Sequence, residues 1–485
     1  MTLINTQNPE LGLFLNNEYV KGEGPELCFK NPKDQSDIPF RVNVASAADV
    51  DRAVHNARTA FIGEWASWTG ERRGEALYKL AKLVDDNKHE LAYLESICSG
   101  KPLSGLLMEF DMMTEAIKYY AGWADKLKGE SYSPEKGFYR IVKREPLGVC
   151  CGITAWNASL LFAAWKSVPA LATGNVIIIK PSEKSPLGTV ALAALYKKAG
   201  FPSGVFQVLV GAGDVGSLLS SHMDVDKISF TGSTAIGRRV QEASAKSNLK
   251  RVTLELGGKS PAIVFDNANL DQALAWVTAG ITANAGQVCA ATSRLFIQAS
   301  IFDAFLERLQ ASFEAIAQNL GMDPLDPKSQ YGPVVDQSQY DKISQIIQEG
   351  KKTNKVLTGG GDDSKGGNFI APTIFVKPDK QAKVYREEVF GPVLCVQSFE
   401  TEDEVVKEAN DTEYGLSGAV FTRDIAQALR VSDRIRTGTI SINCNLMVGP
   451  QTPMGGFKSS GIGREMGEEG LHHYTETKTI WISMS

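Results

Sequence analysis

The sequence predicts an α/β fold built from two parallel-sheet domains, and three observations lead to it. From residue 146 onward short apolar runs alternate with helical patterns, and a similar alternation runs from Ala262 to Val448. At 485 residues the chain is too long for one core. Alternating strand and helix implies parallel strands joined by crossover helices, with helices on both faces of the sheet.

Taken in order, Ser46 before Ala47-Ala48-Asp49 is a helix start signal, and Val50, Ala53, Val54, Ala57 and Ala60-Phe61 continue it at three-to-four spacing. A second helix is expected from Arg72 to Asp86, with others following to Lys126. The first α/β unit then reads as strand Gly148 to Ile153, helix from Leu160, strand Val176 to Ile179, helix from Gly188, strand Val205 to Val210, helix from Val215, strand Lys227 to Phe230, and helix from Ile236. In the second unit Leu295 to Ile297, Thr373 to Val376 and Ala419 to Phe421 are the expected strands. Two segments, Phe138 to Lys143 and Thr479 to Ser483, alternate polar and apolar residues outside both units. Such strands seek an edge, so they are candidates for subunit contact; a hairpin packed within one chain is equally compatible.

Composition narrows the function. With 43% hydrophobic and 22% charged residues, a formal net charge of -5 and no long Lys/Arg run, the chain offers no footprint for nucleic acid or an anionic membrane. Seven cysteines, at 28, 98, 150, 151, 289, 395 and 444, are odd in number, contain no CxxC pair and are too sparse for a disulfide scaffold, so a reducing, cytoplasmic setting is expected. Met1 to Tyr19 carry no leader pattern. The longest uncharged stretch, Pro146 to Trp165, contains Gly148, Gly152, Thr154, Asn157 and Ser159 and reads as strand, turn and helix start, not as a membrane span. No metal site is expected.

The chemistry is concentrated in Ala285-Gly286-Gln287-Val288-Cys289-Ala290-Ala291-Thr292. A thiol is a weak nucleophile until deprotonated, so a catalytic cysteine needs a loop of small residues and nearby donors or a base. Glu255 ends the alternating run Val252 to Leu256, where a strand would hand a carboxylate to the Gly257-Gly258 turn. A nucleophilic cysteine with a carboxylate base points to acyl chemistry. The other cysteines, Cys98, Cys150, Cys151, Cys395 and Cys444, read as small buried hydrophobes.

Two segments compete as the phosphate site. Gly211-Ala212-Gly213-Asp214-Val215-Gly216 matches the dinucleotide pattern, but Lys227-Ile228-Ser229-Phe230 stands where the ribose-binding acid should close the next strand. Phe230-Thr231-Gly232-Ser233-Thr234-Ala235-Ile236 is the better candidate. Gly232 permits a tight turn, Ser233 or Thr234 can donate hydroxyls, and the free N–H groups of the following helix face a phosphate. Upstream, Lys180-Pro181-Ser182-Glu183 ends an apolar strand with a cation and a carboxylate suited to a ribose diol; a solvated salt bridge is the alternative.

With Trp156-Asn157, Lys180-Pro181-Ser182-Glu183, Phe230-Thr231-Gly232-Ser233-Thr234, Glu255-Leu256-Gly257-Gly258-Lys259, Gly286-Gln287-Val288-Cys289, Glu387-Glu388-Val389-Phe390-Gly391-Pro392 and Pro453-Met454-Gly455-Gly456-Phe457-Lys458 in order, nearly the whole chain resembles the aldehyde dehydrogenase superfamily. The resemblance implies oxidation of an aldehyde to a carboxylic acid with NAD, NADP being possible. It implies that Cys289 forms a thiohemiacetal whose oxyanion is held by the Asn157 amide and the Cys289 N–H, and that Glu255 activates water on the resulting thioester. Asn157 could otherwise merely cap the helix near Leu160. The implied cofactor set is Trp156, Lys180, Glu183, Gly216, Gly232, Ser233, Ile236, Gly257, Glu388 and Phe390. Without the family, Glu388 would be one more surface acid. The implied scheme is a Rossmann-type cofactor domain at 1-125 and 147-257, a catalytic domain at 258-456, and a small β oligomerisation arm at 126-146 and 457-485, giving a homodimer or homotetramer.

The chain departs from the family around the substrate. Ala155-Trp156-Asn157-Ala158-Ser159 lacks the usual flanking prolines and aromatic, and Ala158, Ala283, Val448 and Met454 stand where bulky aromatics often line the tunnel. A wide apolar tunnel, and a bulky or apolar aldehyde, are therefore expected. Transfer of the thioester to coenzyme A is disfavoured by Glu255, and a semialdehyde or phosphorylated substrate by the absence of arginines near Ala158, Ala283 and Gly449. A catalytically silent binding homologue would have lost Cys289, Glu255 or Asn157.

Overall fold

A computed structural model describes residues 10–361 and 364–484. The first nine residues, which carry part of the leader expectation, lie outside the described residues. Two mixed sheets dominate. The larger has eight strands in the spatial order Gly461–Ile462, Arg251–Glu255, Lys227–Thr231, Val149–Ile153, Val176–Lys180, Phe206–Val208, Leu13–Leu15 and Glu18–Val20. Its five central strands are parallel, and antiparallel strands close both edges.

Val176–Lys180 is buried along its whole length, as expected of a central parallel strand covered on both faces. Truncating Ile178 to alanine would remove about 2–5 kcal/mol of stability. At Gly152 an added Cβ would lie 2.7 Å from the Ile179 side chain and 3.2 Å from that of Lys166, so this glycine lets the helix Ser159–Ala172 approach the sheet.

The second sheet has seven strands in the order Lys355–Thr358, Thr373–Val376, Val393–Phe399, Arg294–Gln298, Pro261–Val264, Ser417–Phe421 and Thr439–Ile442, all parallel except the first. The α/β reading of both units is correct. Ser46 forms the capping box with Asp49 that its sequence suggests.

Three local features differ from expectation. The helix expected from Arg72 to Asp86 is one element, Gly70–Ser99, because no breaker stands before Gly100, whose φ of +74° ends it. Residues 10–43 form five strands that the sequence reading did not identify: four of two to five residues, too brief for periodicity, and Asp37–Asn43, which alternates with Ile38, Phe40 and Val42 buried. The two stray strands pair with each other: Phe138–Pro146 runs antiparallel to Thr475–Ser483 in continuous register, with Ile141 opposite Ile480, and Glu130–Glu135 adds a third strand. Within 457–485, the two-residue strand Gly461–Ile462 first joins the edge of the eight-stranded sheet before the chain leaves along Thr475–Ser483. Among the described residues no helix is long and apolar enough to cross a membrane.

Candidate active site

In the larger sheet the chain steps outward from Val149–Ile153 through Val176–Lys180 and Phe206–Val208, then returns to the other side of Val149–Ile153 with Lys227–Thr231 and Arg251–Glu255. Strand order reverses beside Val149–Ile153, and a ligand crevice forms at the carboxyl ends on either side of such a reversal. Those ends carry Lys180, Thr231 and Glu255.

On one side of the crevice, Lys180 is not the solvated partner of a surface salt bridge. Its side chain is 4% exposed, its Nζ donates to the Pro181 carbonyl at 2.9 Å, and Glu183 lies 3.9 Å away with 39% of its side chain exposed. Burial lowers the Lys180 ammonium to about 8, with Glu183 and Asp214 partly opposing. A Cβ at Gly216 would sit 3.9 Å from the Lys180 stem, which puts Gly216 on the same groove, whereas a Cβ at Gly213 would meet nothing. The Gly-x-Gly-x-x-Gly segment therefore contributes its last glycine to the groove.

Across the reversal, Ser233 caps the helix Thr234–Lys246 by accepting from the Ile236 N–H at 3.4 Å, and both Ser233 and Ile236 are exposed. Gly232 is half-buried against the Phe230 ring, where a Cβ would lie 2.5 Å from Cζ. Of the two hydroxyls considered, Thr234 donates to the Ser459 carbonyl at 3.3 Å, so Ser233 is the one facing the groove.

The loop that carries Cys289 precedes the strand Arg294–Gln298. Asn284 and Ala285 both take left-handed backbone, at φ +48° and +52°, and Gln287 braces them by donating to the Asn284 carbonyl at 2.9 Å and accepting from the Val335 N–H at 2.9 Å. Left-handed backbone is costly for non-glycine residues and persists where surrounding contacts enforce it. Cys289 is half-buried. Burial pushes its thiol up to about 12, Glu388 and Glu255 push in the same direction, and the backbone N–H groups of Ala290 and Cys289 pull it down.

Asn157 does not cap the helix Ser159–Ala172; the cap position is Ala158, and no side chain serves it. Its Nδ2 donates instead to the Gln287 carbonyl at 3.0 Å, two residues before Cys289. An amide carries two N–H donors, so one remains for a ligand. Trp156 meets Phe390 edge to face, with centroids 5.2 Å apart.

Glu255 is buried, and neither carboxyl oxygen has a hydrogen-bond partner. Burial, then Glu465, raise it well above the usual carboxylate range, while Lys166 and Arg464 oppose. Glu388 is not a surface acid: it is half-buried and accepts from the Gly258 N–H at 2.9 Å. Burial raises it to about 7. A Cβ at Gly257 would lie 2.3 Å from its Oε2, so the glycine lets the Glu388 carboxyl close against the main chain.

Of the residues expected to line the tunnel, Ala158 is buried, and the half-buried Val448 and Met454 pack against the same apolar core. Ala283 precedes Asn284, whose Nδ2 reaches the Asn157 carbonyl at 3.4 Å. Met454 is bridged by its backbone to Glu465, at 2.7 and 2.8 Å. Cys98, Cys150, Cys151 and Cys395 are buried as expected, but Cys444 is only half-buried.

Sequence reading missed a buried polar chain behind Glu255. Lys166 Nζ donates to Glu465 and, at 3.1 Å, to Ser229 Oγ, and Ser229 in turn donates to Glu465 Oε1 at 3.1 Å. Lys166 could have been noticed as the one charge in the helix Ser159–Ala172; Glu465 and Ser229 carry no comparable signal. Among the described residues no cluster of side chains could hold a metal ion.

Comparison with known proteins shows the family. Residues 19–480 match the model of the aldehyde dehydrogenase family. The chain is 45% identical over 476 residues to an aldehyde dehydrogenase of Davidiella tassiana, covering 98% of this chain and 95% of that protein. It is 44% identical over 489 residues to the cytosolic aldehyde dehydrogenase 1 of Elephantulus edwardii, covering 100% and 97%. Among solved structures it is similar to a betaine aldehyde dehydrogenase of Staphylococcus aureus in complex with NAD+, with a TM-score of 0.95, 38% identity, and coverage of 99% and 96% of the two chains.

Proposed function

Because the chain belongs to the aldehyde dehydrogenase family and is an NAD-dependent oxidoreductase acting on aldehydes, we propose that it oxidises a bulky or apolar aldehyde to the carboxylic acid through a thioester on Cys289. The observation that carries this reading is the bond from Asn157 Nδ2 to the Gln287 carbonyl, which ties an amide donor to the nucleophile's own loop. Cys289 Sγ attacks the carbonyl carbon, its proton passes to the ionised form of Glu255, and the aldehyde oxygen becomes an oxyanion held by the second Asn157 N–H and the Cys289 N–H. Such fixed donors act most strongly where water is excluded. NAD, when bound, supplies the hydride acceptor that turns the thiohemiacetal into a thioester. Glu255 then removes a proton from water as the water oxygen bonds to the acyl carbon, and the carbon–sulfur bond breaks to release the acid. Glu255 must give up the first proton to water before it takes the second, and Glu465 and Lys166 act on it through their charges.

The donor set fits a dinucleotide. Glu183 and Lys180 would hold a ribose diol, Ser233 and the helix N–H groups near Ile236 a phosphate, with Gly216 and Gly232 leaving room. Glu388 beside Gly257 would hold the second ribose, and Phe390, braced by Trp156, would flank the nicotinamide. Glu183 accepts hydrogen bonds from a ribose diol but repels a 2'-phosphate, so kcat/KM with NAD should exceed that with NADP by about tenfold or more. A higher efficiency with NADP would overturn the Glu183 assignment.

The small side chains at Ala158 and Ala283, with Val448 and Met454, support a wide tunnel. Each methylene buried contributes roughly 0.8 kcal/mol, about fourfold in efficiency if fully realised. Following reduced cofactor at 340 nm across a homologous series should show kcat/KM rising from acetaldehyde to hexanal, and Ala158→Phe should move the preference back toward short aldehydes. Acetaldehyde outperforming both hexanal and benzaldehyde would sink the wide-tunnel reading.

The domain scheme is part of the same proposal: cofactor domain at 1-125 and 147-257, catalytic domain at 258-456, arm at 126-146 and 457-485. Exposed Tyr132, Phe138 and Trp481 on the three-stranded sheet support its role in homo-oligomer formation, a role that a monomer mass in light scattering would exclude. The cytosolic name of a relative supports a cytoplasmic setting.

A further inference from the structure

The turn that presents Asn157 is held from behind by a buried cation. Lys101 follows the end of the helix Gly70–Ser99 and is 4% exposed. Its backbone is fixed on both sides: the Lys101 N–H donates to Ser99 Oγ at 3.3 Å, and Ser96 Oγ donates to the Lys101 carbonyl at 2.8 Å. Its Nζ donates to Glu109 Oε1 at 2.5 Å and to the main-chain carbonyl of Asn157. The preceding carbonyl, that of Trp156, accepts from Ser185 Oγ at 3.1 Å, so two consecutive peptide planes of the turn are each tied by a separate side chain.

This cation sits beside a helix start. The turn leads into the N-terminus of the helix Ser159–Ala172, whose free N–H groups already carry partial positive charge, and a lysine there costs stability unless compensated. Glu109 compensates by direct bonding. Glu95, which is 1% exposed with neither oxygen hydrogen-bonded, is raised by burial to about 8 with Lys101 the main charge opposing, so it is mostly neutral at pH 7 and adds little. A neutral apolar residue would fill the same space without this arrangement. What the ammonium supplies that a methyl group could not is a directed hydrogen bond to the Asn157 carbonyl.

We propose that Lys101 is a positioning residue for the oxyanion site, fixing the Asn157 peptide so that the side-chain amide points at the oxygen of the reacting carbonyl. This rests on the reading of Asn157 as the oxyanion donor. Electrostatic stabilisation of this kind depends on donors held in place before the charge develops, and a displacement of about 1 Å can cost about a hundredfold in rate.

The test is a double-mutant cycle read in two reactions on the full-length protein: aldehyde oxidation with NAD, and hydrolysis of 4-nitrophenyl acetate, an activated ester that needs Cys289 and the oxyanion donors but no hydride acceptor. Lys101→Met should lower kcat about 10- to 100-fold in both reactions while the Kd for NAD, measured by fluorescence titration, stays within about twofold. In an Asn157→Ala background the same substitution should cost less than about threefold, because the group it positions is gone. Losses that multiply, or a Kd for NAD that moves as far as the rate, would overturn the proposal in favour of a merely structural lysine. If Asn157→Ala alone leaves both rates intact, it is the oxyanion reading that fails instead. Should Lys101→Met not fold, Glu109→Gln loosens the same ammonium from its solvent side, where a loss of about three- to tenfold with the same lack of additivity is expected and full additivity overturns the assignment.

Discussion

Cys289→Ala protein should bind NAD and oxidise no aldehyde, with turnover reduced at least about a thousandfold, because it removes the only atom that can bond the substrate carbon. Fluorescence titration should give the wild-type Kd for NAD, which separates loss of chemistry from loss of fold. The thiol carries its own signature. Burial, Glu388 and Glu255 push it up to about 12, so below that pH the protonated, unreactive form predominates in the cofactor-free protein. Inactivation by iodoacetamide should therefore be slow at pH 7 and accelerate about tenfold per pH unit toward the alkaline side. Cys28 is exposed and Cys444 half-buried, so peptide mapping must show that loss of activity follows labelling of Cys289 and not of Cys28. Substantial turnover by a folded Cys289→Ala protein would falsify the covalent mechanism.

Glu255→Gln should stop the reaction halfway. Thioester formation would still release reduced cofactor, up to one equivalent per site, after which turnover should continue about a hundredfold or more below wild type. Quenching during the slow phase and weighing the intact protein should reveal the acyl adduct. The pH dependence follows from the raised carboxyl. Burial and Glu465 hold Glu255 above the usual carboxylate range, so its base form accumulates at higher pH than that of an exposed glutamate. Where hydrolysis limits the wild-type rate, kcat should climb as pH rises through that elevated value, and Glu255→Gln should flatten that limb. An unchanged steady-state rate in Glu255→Gln would mean that water is activated by another group.

Much of this molecule is decided locally. The runs Val149–Ile153 and Val176–Ile179 are legible because strands buried on both faces are near-continuously apolar, Lys227–Thr231 because it alternates polar and apolar residues, and the helix at Ser46 because a capping box satisfies free N–H groups at its start. The strand ends and small-residue loops that carry Lys180, Gly232, Glu255 and Cys289 are legible for the same reason: each is punctuation at the end of a periodic run. The sequence could not say which of these meet. That Asn157 bonds the Gln287 carbonyl 130 positions away, that Glu388 turns inward onto Gly258, and that Glu465 reaches Lys166 across 299 positions depend on how the two sheets are placed. The same holds for charge state. A glutamate or lysine in the sequence is an ionised surface group by default, and only tertiary burial, by removing water, raises Glu255, Glu388 and Glu95 and lowers Lys180. Residue type and local pattern fix what each segment can be; the chemistry of a buried polar group is set by what the rest of the chain packs around it.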